Sequence, residues 1–197
     1  MRLGRVALGL WVPLALIPGV YALAGHLTTL PAPAASDAKV GEGVTTLFPT
    51  LARSERAIHV LYERCGCSSR VATKIMAQGS RGPVREAVIM VDDDERGIDQ
   101  SRLERLRSAG FLVAAMSTRA VAERLHVAAV PLLLIVDADD RVRYAGGYTV
   151  GRDSPQLEDR RILAEVSAGG SPSPLPVFGC AVATDLQRAL DPLGLKY

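Results

Sequence analysis

The chain has 197 residues, 48% of them hydrophobic, with 23 Lys and Arg against 21 Asp and Glu for a formal charge of +2. That length supports one globular domain with a real core and additional segments. The charges are interspersed with no basic stripe, and aromatics make up only 5%. Both features argue against a nucleic-acid partner.

The N-terminus reads as a separate object. Arg2 and Arg5 precede residues 6–25, a run without a charged side chain. Roughly 20 apolar residues span a bilayer as a helix, and membrane helices tolerate prolines such as Pro13 and Pro18. The positive-inside rule keeps the two arginines cytoplasmic and exports the rest. Cleavage near Ala24 is the rival, because Ala22-Leu23-Ala24 has small-x-small form; a buried soluble helix is a third reading. The expectation is a single-pass anchor in a bacterial-type inner membrane, with the remainder extracytoplasmic, in a periplasmic space where disulfides persist.

Residues 26–43 are rich in Pro, Ala, Gly and Thr and read as a tether, followed by a short ordered piece at 44–52. Regular alternation begins at Ala57. A strand is expected over 57–63, a helix over 66–78 and a strand over 86–92. A helix over 100–110 carries Leu103, Leu106 and Ala109 at helical spacing, with Gly110 as its stop. A strand follows at 111–116. Ser117 or Thr118 caps a helix over 119–125, and a buried strand runs over 131–137. An Asp-rich turn leads into 141–149, completing a hairpin. A helix over about 156–167, an irregular segment 169–176 and a helix over 181–190, stopped before Pro192, complete the chain. This order implies an α/β three-layer sandwich with a mixed central sheet, preceded by the N-terminal transmembrane helix. The early, wholly apolar strands are expected to be buried on both faces. The organisation is then 1–25 anchor or signal, 26–52 linker, 53–168 domain and 169–197 a C-terminal extension carrying Cys180.

Two of the three cysteines fall at the first strand–helix junction, in Arg64-Cys65-Gly66-Cys67-Ser68. A helix N-terminus presents unpaired N–H groups and the positive end of the macrodipole. It therefore stabilises a thiolate, the reactive form in exchange; Arg64 and Arg70 would add to this. Cys67 is close enough in sequence to resolve a mixed disulfide on Cys65. A Cys-Gly-Cys ring is small, and the torsion near 90° is harder to meet than the Cα distance. Gly66 relieves this through its backbone freedom. Metal binding is the competing reading, since soft thiolates select copper(I), with Cys65 and Cys67 as ligands. Two buried, inert thiols are the bland one. Cys180 is either a third thiol of the site or a buried one.

Val130-Pro131 opens the strand at 131–137, where proline is admissible. A strand, cysteines at a helix start, a Val-Pro opening a buried strand, an Asp-containing turn and a Gly-Gly ending together resemble the thioredoxin-like superfamily. The extra strand–helix pair makes the chain more similar to its TlpA-type, redoxin-like membrane-anchored oxidoreductases. The resemblance covers about 57–149 and extends toward 167. It implies a cis Val130–Pro131 bond beside Cys65, Val130 backbone groups offered to an extended substrate segment, and Cys65 as attacking sulfur. The family pattern is Cys-x-x-Cys; here Ser68 holds the second position and Cys67 stands one residue early. Cys67 therefore matches no family position.

The expected activity is thiol–disulfide exchange with protein thiols and disulfides, recharged by an unidentified redox partner and needing no organic cofactor. A copper(I) module and a catalytically idle adaptor docking along Pro131 are the alternatives. His59 and His126 read as surface or hydrogen-bonded histidines rather than ligands. Residues 92–95, Asp-Asp-Asp-Glu, read as a solvated loop without calcium-loop spacing, and 79–83 as a turn rather than a phosphate loop. The common hydrolase signatures are absent, as is the peroxiredoxin motif.

Overall fold

The computed structural model describes residues 11, 16, 28–80, 84–93, 97–192 and 194. Except for Trp11 and Leu16, the expected membrane run at 6–25 lies outside the described residues. Among these, no helix is long and apolar enough to cross a membrane.

A five-stranded mixed sheet runs through the centre in the order β3-β2-β1-β5-β6. Its strands are β1 (Arg56–Tyr62), β2 (Arg85–Asp92), β3 (Leu112–Ser117), β5 (Leu132–Val136) and β6 (Val142–Gly146). β1, β2 and β3 pair in parallel, while β5 is antiparallel to both β1 and β6. β1 and β5 are buried at every residue: β5 as its unbroken apolar run requires of a strand covered on both faces, β1 with Arg56 and His59 buried among its apolar residues. β3 departs from that expectation. It lies at the sheet edge and only Met116 is buried, with Leu112 39% exposed.

Helices cover both faces, so the sandwich has three layers. On one face, α2 (Gly66–Gln78), α3 (Gln100–Ser108) and α5 (Asp159–Ser167) insert Val71, Ile75, Leu106, Ile162 and Val166. On the other, α1 (Ala38–Leu47) and α4 (Thr118–Leu125) insert Val40, Val44, Val121 and Leu125. Ser117 caps α4 by accepting the Ala120 amide at 3.1 Å, as the sequence expects.

The reading of 26–43 as a tether fails over its second half. Asp37 caps α1 through the Lys39 amide at 3.1 Å, and Val40 and Val44 are fully buried. Gly41 lies so close to the β5–β6 turn that a Cβ there would collide with the Asp140 carbonyl. The signal was hidden because α1 carries two glycines and four β-branched residues in ten (AKVGEGVTTL), a composition of low helix propensity. Tertiary packing supplies what propensity does not. Arg56, fully buried, pins the same region. It pairs with the Asp140 carboxylate and donates to the Asp137 carbonyl at 2.9 Å. The Thr45 hydroxyl, outweighing a small burial effect, and the Arg56 guanidinium hold the Asp140 carboxyl below its ordinary value.

The C-terminal extension also differs from expectation at its start. Residues Cys180–Ala181 form β7, which pairs antiparallel with β4 (Ala129–Val130). The final helix, α6, covers only Thr184–Leu190. Upstream, Val177 bridges to Leu30, whose amide donates to the Val177 carbonyl at 2.9 Å. The extension therefore returns across the domain.

Candidate functional site

Cys65 is the N-cap residue of α2, in extended backbone conformation. Tyr62 ends β1 three residues earlier, and its carbonyl accepts the Cys65 amide at 3.1 Å. The strand thus feeds directly into the helix and sets the sulfur over the first turn. The side chain is 1% exposed. Cys67 and Cys180 are half-buried, and no disulfide joins any two of the three.

The three sulfurs converge. Hydrogen bonding from the Cys180 thiol, then from the Cys67 thiol, drives the Cys65 pKa far below the thiol range, against burial, which opposes charge. The Ser68 amide and hydroxyl add to this. The Ser68 oxygen already accepts the Tyr62 amide at 3.1 Å, which leaves its own proton for the sulfur. Cys67 shifts the opposite way. Its hydrogen bond to Cys65, burial and the neighbouring thiolate all hold its proton in place, although Arg70 and Arg152 oppose them. The two neighbours are thus pushed apart, Cys65 toward the thiolate and Cys67 toward the thiol, a division that coupled groups at close range adopt.

The arginines do less for Cys65 than the sequence suggests. Arg64 turns to Asp93, at 2.7 Å. Arg70 acts on Cys67 and donates to the Arg152 carbonyl at 3.4 Å.

The Val130–Pro131 peptide bond is cis. Val130 is fully buried in the same cluster as Cys65, and Pro131 lines a small cavity with Cys67, Arg70, Tyr148 and Phe178. The structure thus brings together Cys65, Cys67, Val130, Pro131 and Cys180. Sequence reasoning missed Ser68 as a proton donor, Tyr148 in the cavity wall, and Phe178 and Gly179 as neighbours of the site. Only Ser68 carried a readable signal, as the residue standing in the second family position.

Among the described residues, no group of three or more His, Cys, Asp or Glu is placed to hold a metal ion. His59 is not a surface residue. It is fully buried, with Nδ1 2.9 Å from the Tyr148 hydroxyl and Nε2 3.2 Å from Glu86. Arg160 reaches the other Glu86 oxygen at 2.9 Å. His126 closes α4 in left-handed conformation and bonds the Asp37 carboxylate. Of residues 92–95, Asp93 is bound to Tyr62 and Arg64, while 94 and 95 lie outside the described residues, as do 81–83 of the expected turn.

The Glu86 cluster carries a stability prediction. Burial raises the Glu86 pKa, but hydrogen bonding and charge from His59 and Arg160 outweigh it and hold the carboxyl below its ordinary value. A depressed carboxyl contributes stability above its unfolded value, about 4.3, and loses that contribution as pH falls through the folded value. Glu86→Gln should therefore cost about 1.5–3 kcal/mol at pH 7, the range for hydrogen bonds to charged groups. The deficit should shrink below about pH 4. Urea unfolding of both proteins at pH 7 and pH 3.5 checks this.

Sheet order, helices on both faces and a cysteine at a helix start beside a cis proline fit a thioredoxin-like α/β fold. No protein-family model matches the sequence, and no curated protein matches it. Solved structures similar to it include a hypothetical protein from Sinorhizobium meliloti, at 16% identity and a TM-score of 0.48 over 80% of this chain and 91% of that one. A candidate thioredoxin from Neisseria meningitidis is 15% identical, with a TM-score of 0.42 over 61% and 77%. A thioredoxin-like superfamily protein is 16% identical, with a TM-score of 0.39 over 66% and 87%. At these levels the likeness carries no argument of its own, and the functional reading rests on the site.

Proposed function

We propose that this protein carries out thiol–disulfide exchange with protein substrates, with Cys65 as the attacking sulfur. The observation that carries the reading is the Cys65 thiolate, set at the start of α2 beside Val130–Pro131 and hydrogen-bonded by two further thiols. The thiolate is the nucleophile in exchange, and the helix start, Ser68 and the neighbouring thiols keep it ionised at neutral pH. Cys67, in the same turn, and Cys180, on β7, each supply a sulfur to resolve a mixed disulfide. Val130 and Pro131 form the docking edge. Electrons reside in the sulfurs, so an external redox partner recharges the site and no organic cofactor takes part.

The same proposal places the domain outside the cytoplasm, tethered by residues 6–25 or released after cleavage near Ala24. Support comes from the uncharged run behind Arg2 and Arg5 and from the chemistry, since a disulfide-forming site works in an oxidising compartment. The copper(I) reading uses the same Cys65 and Cys67 sulfurs as ligands, and the trapping experiment separates the two. The adaptor reading leaves the ionised sulfur without a task.

Trapping tests the proposal. In a variant with Cys67→Ala and Cys180→Ala, neither neighbouring thiol can release a partner from Cys65. Disulfide-linked adducts that depend on Cys65 should accumulate in cells and separate on diagonal electrophoresis. Failure to find any Cys65-dependent adduct, with stoichiometric copper(I) binding instead, would replace exchange with the metal reading.

A further inference from the structure

The docking edge is already occupied. β7 pairs antiparallel with β4, and Cys180 stands opposite Val130 in the register. Its thiol hydrogen-bonds the Cys65 sulfur. Gly179 passes so close to the edge that a Cβ there would collide with the Val130 carbonyl oxygen and approach Pro131 Cδ to 2.6 Å. On the other side of Gly179, Phe178 lines the cavity that also holds Cys67 and Pro131, with the Arg152 guanidinium 5.4 Å from its ring centre. This is strand addition to an exposed backbone edge, with a side-chain pocket giving specificity. Here the added strand belongs to the chain itself.

We propose that residues 178–181, Phe-Gly-Cys-Ala, are a built-in substrate of Cys65: two-electron oxidation joins Cys65 to Cys180, and an outside protein reacts only after displacing this segment. The inference rests on the exchange reading and names the sulfur that completes it. The same segment describes the outside substrate. It is an extended strand whose cysteine follows glycine, because any side chain there meets the Val130 carbonyl, with an aromatic residue one position earlier for the cavity.

Geometry favours Cys180 over Cys67 as the partner sulfur. An i, i+2 disulfide in the first turn of a helix must force its torsion, whereas Cys180 approaches from a separate strand without a small ring. The reaction balances as two exchanges. The Cys65 thiolate attacks a disulfide and expels one thiolate, leaving a mixed disulfide. Cys180, losing its proton to solvent, attacks the Cys65 sulfur and expels the second thiolate. The protein has lost two electrons and the disulfide has become two thiols. The strap is also built to yield. β7 is two residues long, and no residue of α6, which follows it, is buried, so local opening is cheap compared with global unfolding.

Oxidised glutathione added to the fully reduced chain tests this directly, with disulfides mapped by mass spectrometry after thiol blocking. The expected major product links Cys65 to Cys180. A Cys65–Cys67 product, or a lasting glutathione adduct on Cys65 with Cys180 still alkylatable, overturns the built-in substrate and leaves the exchange reading standing. No disulfide at Cys65 at all overturns both. In Cys180→Ser the glutathione adduct on Cys65 should persist at least tenfold longer than in Cys67→Ser; equal lifetimes overturn the assignment. Gly179→Val should expel the strap and raise the rate of Cys65 alkylation by iodoacetamide at least tenfold with an unchanged far-ultraviolet dichroism spectrum. A wild-type rate in a folded variant overturns the displacement step, and the mapping on the unaltered chain decides if that variant does not fold.

Discussion

Cys65→Ser should lower the rate at which the protein, supplied with dithiothreitol, reduces insulin disulfides by roughly 10³-fold or more, the scale on which loss of a nucleophile is felt. In free energy this is at least about 4 kcal/mol of transition-state stabilisation. Serine keeps the size and the hydrogen-bonding geometry of the position but remains a neutral hydroxyl at pH 7, and a hydroxyl does not attack sulfur. Cys67→Ser should cost less than about tenfold, because Cys180 also bonds the Cys65 sulfur and can complete the exchange. The pH profile separates this from a merely structural loss. An ordinary thiol loses a factor of ten in thiolate for every pH unit below its pKa, near 8.5. Cys65, held ionised by Cys180, Cys67 and Ser68, should give a wild-type rate that changes little between pH 6 and 8. A steep fall toward pH 6 would mean that the sulfur is protonated and the site idle. The stabilised thiolate also sets the direction of the chemistry. It is a good leaving group, and stabilising the reduced form raises the reduction potential of any disulfide made from it, so the site should act as an oxidant.

The order of elements from Ala57 to Ser167 was legible because each one carries its own local signal. β2 and β5 carry unbroken apolar runs of strand length, α3 has leucines three apart, and Ser117 precedes the helix it caps. Strand direction followed from alternation: a helix between strands makes them parallel and a two-sided turn makes them antiparallel. What escaped was fixed by contacts distant in sequence. α1 has poor helix formers and two glycines, yet it is ordered by Arg56 and by the β5–β6 turn some hundred residues on. β7 is two residues long and exists because Val130 offers it an edge; nothing local distinguishes Cys180-Ala181 from the neighbouring coil. At the site, the pair Cys65 and Cys67 stood out by spacing, and Val130-Pro131 by resemblance. The nearest charges proved a poor guide, since Arg64 is taken by Asp93. The groups that tune Cys65 are a serine and two thiols, and one of those thiols arrives 115 positions later along the chain.

Fully reduced protein should gain stability as pH rises from 6 to 8, relative to Cys65→Ser, by about 1.4 kcal/mol per pH unit, the linkage slope for one proton. The sign follows from the direction of the shift. The folded Cys65 pKa is depressed, chiefly by the Cys180 and Cys67 hydrogen bonds, while an unfolded cysteine titrates near 8.5. Between pH 6 and 8 the folded thiol is therefore ionised and the unfolded one protonated, so unfolding takes up a proton and raising pH opposes it. The contribution is complete above the unfolded value and is lost as pH falls through the folded one. Cys67 moves oppositely, its proton held by the bond to Cys65. Below pH 8 it is protonated in both states and adds no slope. Above about pH 9 the unfolded chain sheds that proton first, and the Cys67 contribution then falls with further rise in pH. Titrating groups outside the three-sulfur cluster are common to wild type and variant and cancel in the difference. Urea unfolding under anaerobic reducing conditions at pH 6, 7 and 8 measures it, with an expected gap of about 2.5 kcal/mol opening across two pH units, the slope easing toward pH 8 as the unfolded thiol begins to ionise. Parallel curves would show that Cys65 keeps its proton in the folded protein, and that the three sulfurs pack as neutral thiols with no nucleophile among them.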